Sequence, residues 1–154
     1  MKHWLIKSEP DVFSIDDLAR VKREPWTGVR NYQARNFMWK DMKPGDLALF
    51  YHSNAKPPGI VGVAKVAGEP CPDETQFDPK SEYHDPKATR DNPRWWLVDF
   101  AYVGKFPDIL TLDQLKADSV LSEMTICQRG TRLSITPVEP AHFKRACKLA
   151  GFRM

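Results

Sequence analysis

Between Glu69 and Pro93 the chain reads EPCPDETQFDPKSEYHDPKATRDNP, and five of its 13 prolines fall there. Proline has no amide hydrogen for a sheet ladder and clashes with the preceding turn of a helix, so this stretch suits neither interior. It is flanked by two strongly strand-like segments, GIVGVAKV from Gly59 and WWLVDFAYV from Trp95. It therefore reads as an irregular excursion within one domain spanning residues 1–154, and excursions of this length tend to be functional or mobile.

The remaining elements follow from periodicity and punctuation. Strands are expected at His3–Ser8, Asp46–His52, Ile60–Val66, Trp95–Val103 and Arg132–Ile135. The small residues of GIVGVAKV allow another backbone to come close. Helices are expected at Ile15–Val21, Asn31–Trp39, Leu112–Ala117 and Pro140–Ala150. Ser14 is a cap for the first, Thr111 with Gln114 forms a capping box on the third, and Pro140 and Gly151 bracket the fourth. The order β-α-α-β-β-loop-β-α-β-α does not alternate regularly enough for a doubly wound sheet. An α+β fold is expected, with a small, strongly curved mixed sheet or barrel and helices around it.

With 154 residues, 42% hydrophobic and 28% charged, the composition is that of a globular protein. No run approaches the roughly 20 apolar residues of a membrane span, and MKHWLIKSEPDVF lacks the apolar core of a signal peptide. Three cysteines, Cys71, Cys127 and Cys147, are far apart without a C-x-x-C, which disfavours a disulfide framework or a cysteine zinc site. A monomer in the cytoplasm is the expectation, or in the nucleus for a eukaryotic source. The net charge of +3 is compatible with a polyanionic partner without demanding one.

Catalytic signatures are sparse. Phosphate-loop, dinucleotide and nucleophile-elbow motifs are absent, and the four histidines show no metal spacing. His84, Asp85 and Asp91 read as solvated loop residues. Asp16 and Asp17 suit the positive end of a helix dipole. His52 and Ser53 are conceivable as a nucleophilic pair, but sequence neighbours rarely form a triad, whose members meet in space. No cofactor is implied.

The aromatic residues carry more information. In the helix beginning at Asn31, Ala34, Phe37, Met38 and Met42 form a core-facing stripe. Asn31, Tyr32, Arg35 and Asn36 lie off it, and Trp26 stands on a turn before it. Residue type leaves Trp26 open to two readings, half-buried packing or a platform for a flat ligand.

The segments HWLIKSEPDVFSIDDL, WTGVRNYQARNFM, GDLALFYHSN, GIVGVAKV, NPRWWLVDF and RGTRLSITPV, in this order, closely resemble the EVE domain family from Trp4 to about Lys148. That resemblance implies a PUA-like fold related to YTH domains, and a non-enzymatic reader of modified nucleobases, above all modified cytosine in DNA. A base so read is flipped or unpaired, stacked on aromatic rings and hydrogen-bonded along its edge. Carried over residue by residue, the resemblance puts Ser8 of IKS and Trp26 of PWTG at the base pocket. Asn31 and Tyr32 follow Trp26. Tyr51, Ser53 and Asn54 of FYHSN join them without the tryptophan that YTH domains carry there, as does Gln128 of CQRGT. Lys7, Arg30 and Arg129 are the implied phosphate contacts. Binding of modified RNA is the alternative, and a nucleotide-acting enzyme using His52 and Ser53 the more distant one.

Overall fold

The computed structural model describes residues 1–130 and 132–154. Six strands form one sheet: β1 (His3–Ser8), β2 (Arg23–Pro25), β3 (Leu47–His52), β4 (Gly59–Pro72), β5 (Trp96–Thr111) and β6 (Ile135–Val138). Their spatial order is β2-β5-β4-β3-β1-β6. The β1–β3 pair is parallel, with Ile6 beside Phe50, and all other pairs are antiparallel. Register shifts between Phe50 and Tyr51, and at three points along β4–β5, interrupt the long strands. Such bulges bend and twist a sheet locally. This is the expected curved, mixed sheet.

Four helices cover it: α1 (Ile15–Val21), α2 (Tyr32–Asn36, continued by a π turn over Phe37–Asp41), α3 (Leu112–Ala117) and α4 (Pro140–Leu149). Local chemistry sets their ends. Ser14 and Asp17 form a reciprocal capping box on α1, and Thr111 and Gln114 form one on α3. Proline opens α4, and Gly151 follows it with φ +69°. The π turn ends where the Met42 amide donates to the Phe37 carbonyl at 2.8 Å.

Alternation along β1 and β3 supplies two cores rather than one. Trp4, Ile6, Ala48 and Phe50 point to one face, where Ile15 and Leu18 of α1 and Ala34 and Met38 of α2 cover them. Leu5, Leu49 and Tyr51 point to the other, against Leu115 of α3 and Phe143 and Ala146 of α4. Strands buried on both faces lose the apolar–polar alternation, which is why WLI and ALFY are continuous apolar runs. A Cβ on Gly62 would come within 2.4 Å of the Gly104 carbonyl oxygen, so this strand pair needs glycine for its close approach.

Several expectations shift, among them the end of β5, which runs on to Thr111 instead of stopping at Val103. The strand expected over Arg132–Ile135 lies at Ile135–Val138, because Pro137 is acceptable on an edge strand with no further partner. Strand β2, three residues long and also carrying a proline, was not expected, and it forms the other edge. The excursion after Glu69 begins as the end of β4, and its Asp73 and Gln76 are buried. Among the described residues no helix is long and apolar enough to cross a membrane.

Because the two cores lie on opposite sheet faces, each can be weakened separately. Leu115→Ala is expected to cost about 2–5 kcal/mol in urea unfolding, from lost transfer energy and the cavity left behind. Exposed Lys116→Ala on the same helix should change stability by no more than about 0.5 kcal/mol.

Candidate functional site

Where β1 ends, the chain opens a cleft of about 490 Å³ beside β2 and the turn that follows it. Lys7 and Ser8 enter from β1, Val12 and Phe13 from the approach to α1, and Glu24 to Arg30 from β2 and the next turn. Glu82 and Tyr83 of the excursion close one side, and Ser134 lies at the entry to β6.

Trp26 forms the aromatic wall. Its amide donates to the Val98 carbonyl at 3.1 Å, extending the β2 pairing by one residue. Its ring is held by Phe13, Phe50 and Phe100 at centroid distances of 6.0, 5.9 and 5.3 Å, with interplanar angles of 81–83°. These three rings meet the indole edge-on, and none lies parallel to it. At 9% exposure Trp26 is both core and cleft wall: its indole packs on three rings and also lines the opening.

The turn after Trp26 is shaped by Asp73, only 1% exposed. Its carboxylate accepts from the Gly28 amide at 2.9 Å, Arg30 Nη1 at 3.1 Å and the Thr75 amide at 2.9 Å. Burial by itself would raise the Asp73 carboxyl, but hydrogen bonds from Thr75, Gly28 and Arg30 outweigh it and hold it below its ordinary value. Gly28 has φ +83°, and a Cβ there would lie 2.6 Å from the Tyr83 ring. Glycine is therefore required both for the turn and for seating Tyr83 against it.

Arg30 lines the cleft, yet its guanidinium is already engaged. Besides Asp73 it donates to the carbonyls of Val29 and Tyr83 and to the Thr75 hydroxyl. It also sits over the rings of Tyr83 and Trp95, at 5.4 and 5.1 Å from their centroids. Its place in the structure is that of a clamp on the excursion. Lys7, by contrast, has no ion-pair partner among the described residues, and burial alone pulls its ammonium below the usual lysine range. The Ser8 hydroxyl donates to the Phe13 carbonyl, which leaves its oxygen able to accept.

Of the other residues named from sequence, none lines the cleft. Asn31 caps α2, its side-chain oxygen accepting from the Ala34 amide at 3.0 Å. Tyr32, 47% exposed, stacks on Trp95 at 4.8 Å and hydrogen-bonds with Arg94. Tyr51 points to the opposite sheet face, because it follows Phe50 on the strand, and burial pushes its phenol up to about 12. The Ser53 amide donates to the Ser8 carbonyl, and Asn54 is exposed in a turn with φ +50°. Gln128 donates to the Ser122 carbonyl at 3.2 Å, and Arg129 is exposed beyond it. His52 Nε2 accepts from the Ile15 amide at 3.1 Å, so its ring serves the start of α1 rather than Ser53.

The cleft also contains groups that the sequence did not single out. Phe13, Glu24 and the adjacent pair Glu82 and Tyr83 come from three separate parts of the chain. The Glu24–Trp26 spacing of two, on a strand too short to recognise, was the one available signal. Among the described residues no group of three or more His, Cys, Asp and Glu is placed to hold a metal ion.

The model of the EVE domain matches residues 2–149. The chain belongs to the EVE domain family. Thymocyte nuclear protein 1 of Gallus gallus is 41% identical over 92% of this chain, which spans 65% of that relative's length. A Pseudomonas putida crystal structure superposes with a TM-score of 0.91 at 47% identity, covering 96% of this chain and 99% of that one. The crystal structure of human THYN1 protein in complex with 5-methylcytosine-containing DNA gives 0.90 at 39% identity, covering all of both chains.

Asp73→Asn should cost about 3 kcal/mol in urea unfolding, since it leaves a largely buried guanidinium unpaired. The carboxyl is depressed in the folded state, so its contribution is complete above about pH 4 and is lost as pH falls through the lower folded value. The stability gap between wild type and Asp73→Asn should therefore narrow on acidification below about pH 4.

Proposed function

We propose that this EVE domain is a non-enzymatic reader of modified bases in DNA, taking an unpaired or flipped modified cytosine into the cleft beside Trp26. The observation that carries this reading is the combination of Trp26 and Lys7 in one opening. The indole has no parallel ring upon it, and the ammonium has no carboxylate partner among the described residues. A volume of about 490 Å³ lies within the usual range for small-ligand pockets, roughly 300–1,000 Å³. The human relative crystallised with 5-methylcytosine-containing DNA supports the choice of polymer and of modification.

In this reading the base lies along the Trp26 face, where stacking contributes about 1–3 kcal/mol. Phe13 and Val29 supply apolar surface for a C5 methyl, worth roughly 0.8 kcal/mol when fully buried. Lys7 takes a phosphate oxygen at the mouth, positioning the strand without reading its sequence. Arg30 contributes indirectly, by holding the wall in place. The engagement of the His52 ring at the start of α1 favours a binding role over one in catalysis.

Trp26→Phe, which keeps a ring in the core, should weaken binding of a 5-methylcytosine oligonucleotide about fivefold or more in fluorescence polarisation. Lys7→Ala should flatten the slope of log affinity against log salt by about 0.7–0.9. An unchanged affinity in Trp26→Phe together with an unchanged slope in Lys7→Ala would place binding elsewhere on the molecule. The same titration with a methylated RNA of equal sequence distinguishes the polymer, and equal or tighter RNA binding would overturn the DNA assignment.

A further inference from the structure

A pocket that feels only a C5 methyl does not separate 5-methylcytosine from thymine, because both carry that methyl. They differ at C4, where cytosine presents an amino donor and thymine a carbonyl acceptor. Discrimination between them needs a cleft group that accepts a hydrogen bond and repels an oxygen.

Glu24 has that character. On β2 it pairs with Phe100, whose side chain lies in the core with Trp26. Successive strand residues point to opposite faces, so Glu24 and Trp26 share one face. The residue between them, Pro25, and Arg23 before them belong to the other. Arg23 accordingly reaches across to Asp99 at 2.6 Å and leaves Glu24 alone. Glu24 is half-buried in the cleft wall and its side chain makes no hydrogen bond or ion pair among the described residues, while burial and the nearby Asp99 raise its carboxyl. The cleft's other carboxylate, Glu82, is exposed and hydrogen-bonded with Tyr83. A half-buried carboxylate without a partner, two residues from the aromatic wall, has no structural task visible in the fold. A structural carboxylate would be expected to have hydrogen-bond partners, as Asp73 does.

We propose that Glu24 reads the pairing edge of the bound base, accepting a hydrogen bond from an exocyclic amino group and so selecting 5-methylcytosine over thymine. This rests on the reading that the cleft beside Trp26 receives a base. The Glu24 carboxylate offers only acceptors, so the C4 carbonyl of thymine meets electrostatic repulsion where the cytosine amino group finds a partner. Hydrogen bonds to charged groups are among the stronger ones in proteins, and a carboxylate accepting from cytosine N4 is a known direct-readout pairing.

The test uses one oligonucleotide sequence carrying 5-methylcytosine, cytosine or thymine at a single unpaired position, titrated by fluorescence polarisation. Wild type should prefer 5-methylcytosine over thymine by about tenfold or more. In Glu24→Gln the preference should fall below about threefold, because an amide donates to a carbonyl as readily as it accepts from an amine. The preference for 5-methylcytosine over cytosine should persist, since the methyl is sensed elsewhere. Glu24→Ala should lose thymine exclusion likewise. If Glu24→Gln and Glu24→Ala both retain it, Glu24 does not read the edge, while the base cleft stands. If wild type itself binds all three oligonucleotides equally, the base cleft fails and this assignment falls with it.

Discussion

One buried carboxylate, that of Asp73, holds the cleft together. It gathers the Gly28 amide, the Arg30 guanidinium and the Thr75 amide around a single charge that solvent does not reach. A buried charge is tolerated only while its partners stay in place, so the turn after Trp26 and the proline-rich excursion are obliged to move as one. Gln76, fully buried, continues the attachment. Its side chain accepts from the amides of Arg94 and Trp95 and donates to the carbonyls of Asp73 and Trp95. A segment whose composition suggests a loose loop is thereby joined to the sheet, and Tyr83 and Glu82 become a wall of the cleft.

Beside this hub runs a pile of rings and guanidinium groups that connects α2 to the start of β5. Trp96 stacks on Trp39 at 4.9 Å, Arg35 lies over Trp39 and Tyr32, Tyr32 stacks on Trp95, and Arg30 lies over Trp95 and Tyr83. Each cation over a ring contributes about 0.5–1 kcal/mol at exposed sites. Together they use Tyr32 and Trp39 as scaffold. Tyr32 supports the cleft from outside through this pile.

The platform beneath is stiff for a different reason. The sheet carries a packed core on each face, and its two edges, β2 and β6, each contain a proline. Edge prolines blunt pairing with other chains. The β2 edge is also where the cleft opens, so the strand end that cannot extend the sheet carries Glu24 and Trp26 in the cleft wall. Lys7, at the end of the central parallel pair, also lines the opening and has no ion-pair partner among the described residues.

Read alone, the sequence determined what neighbours within about four residues decide. The Ser14 cap and the Thr111–Gln114 box set the starts of α1 and α3, and both helices run as expected. The stripe of Ala34, Phe37, Met38 and Met42 put α2 on the core, and the apolar runs of β1 and β3 were legible as strands. The motifs identified the EVE family, and of the residues that the resemblance names, Lys7, Ser8, Trp26 and Arg30 line the cleft. Only the tertiary structure decided which polar groups are already engaged. Arg30 and Asp73 are 43 residues apart, and nothing local reveals that one neutralises the other. Asn31 looks like a pocket amide until its cap bond to Ala34 is seen, and Tyr51 looks like a pocket phenol until the alternation from Phe50 carries it to the far face. Glu24 lay on a strand too short to show a period. A residue's availability depends on partners brought in by long-range pairing, and those partners exist only once the sheet has formed.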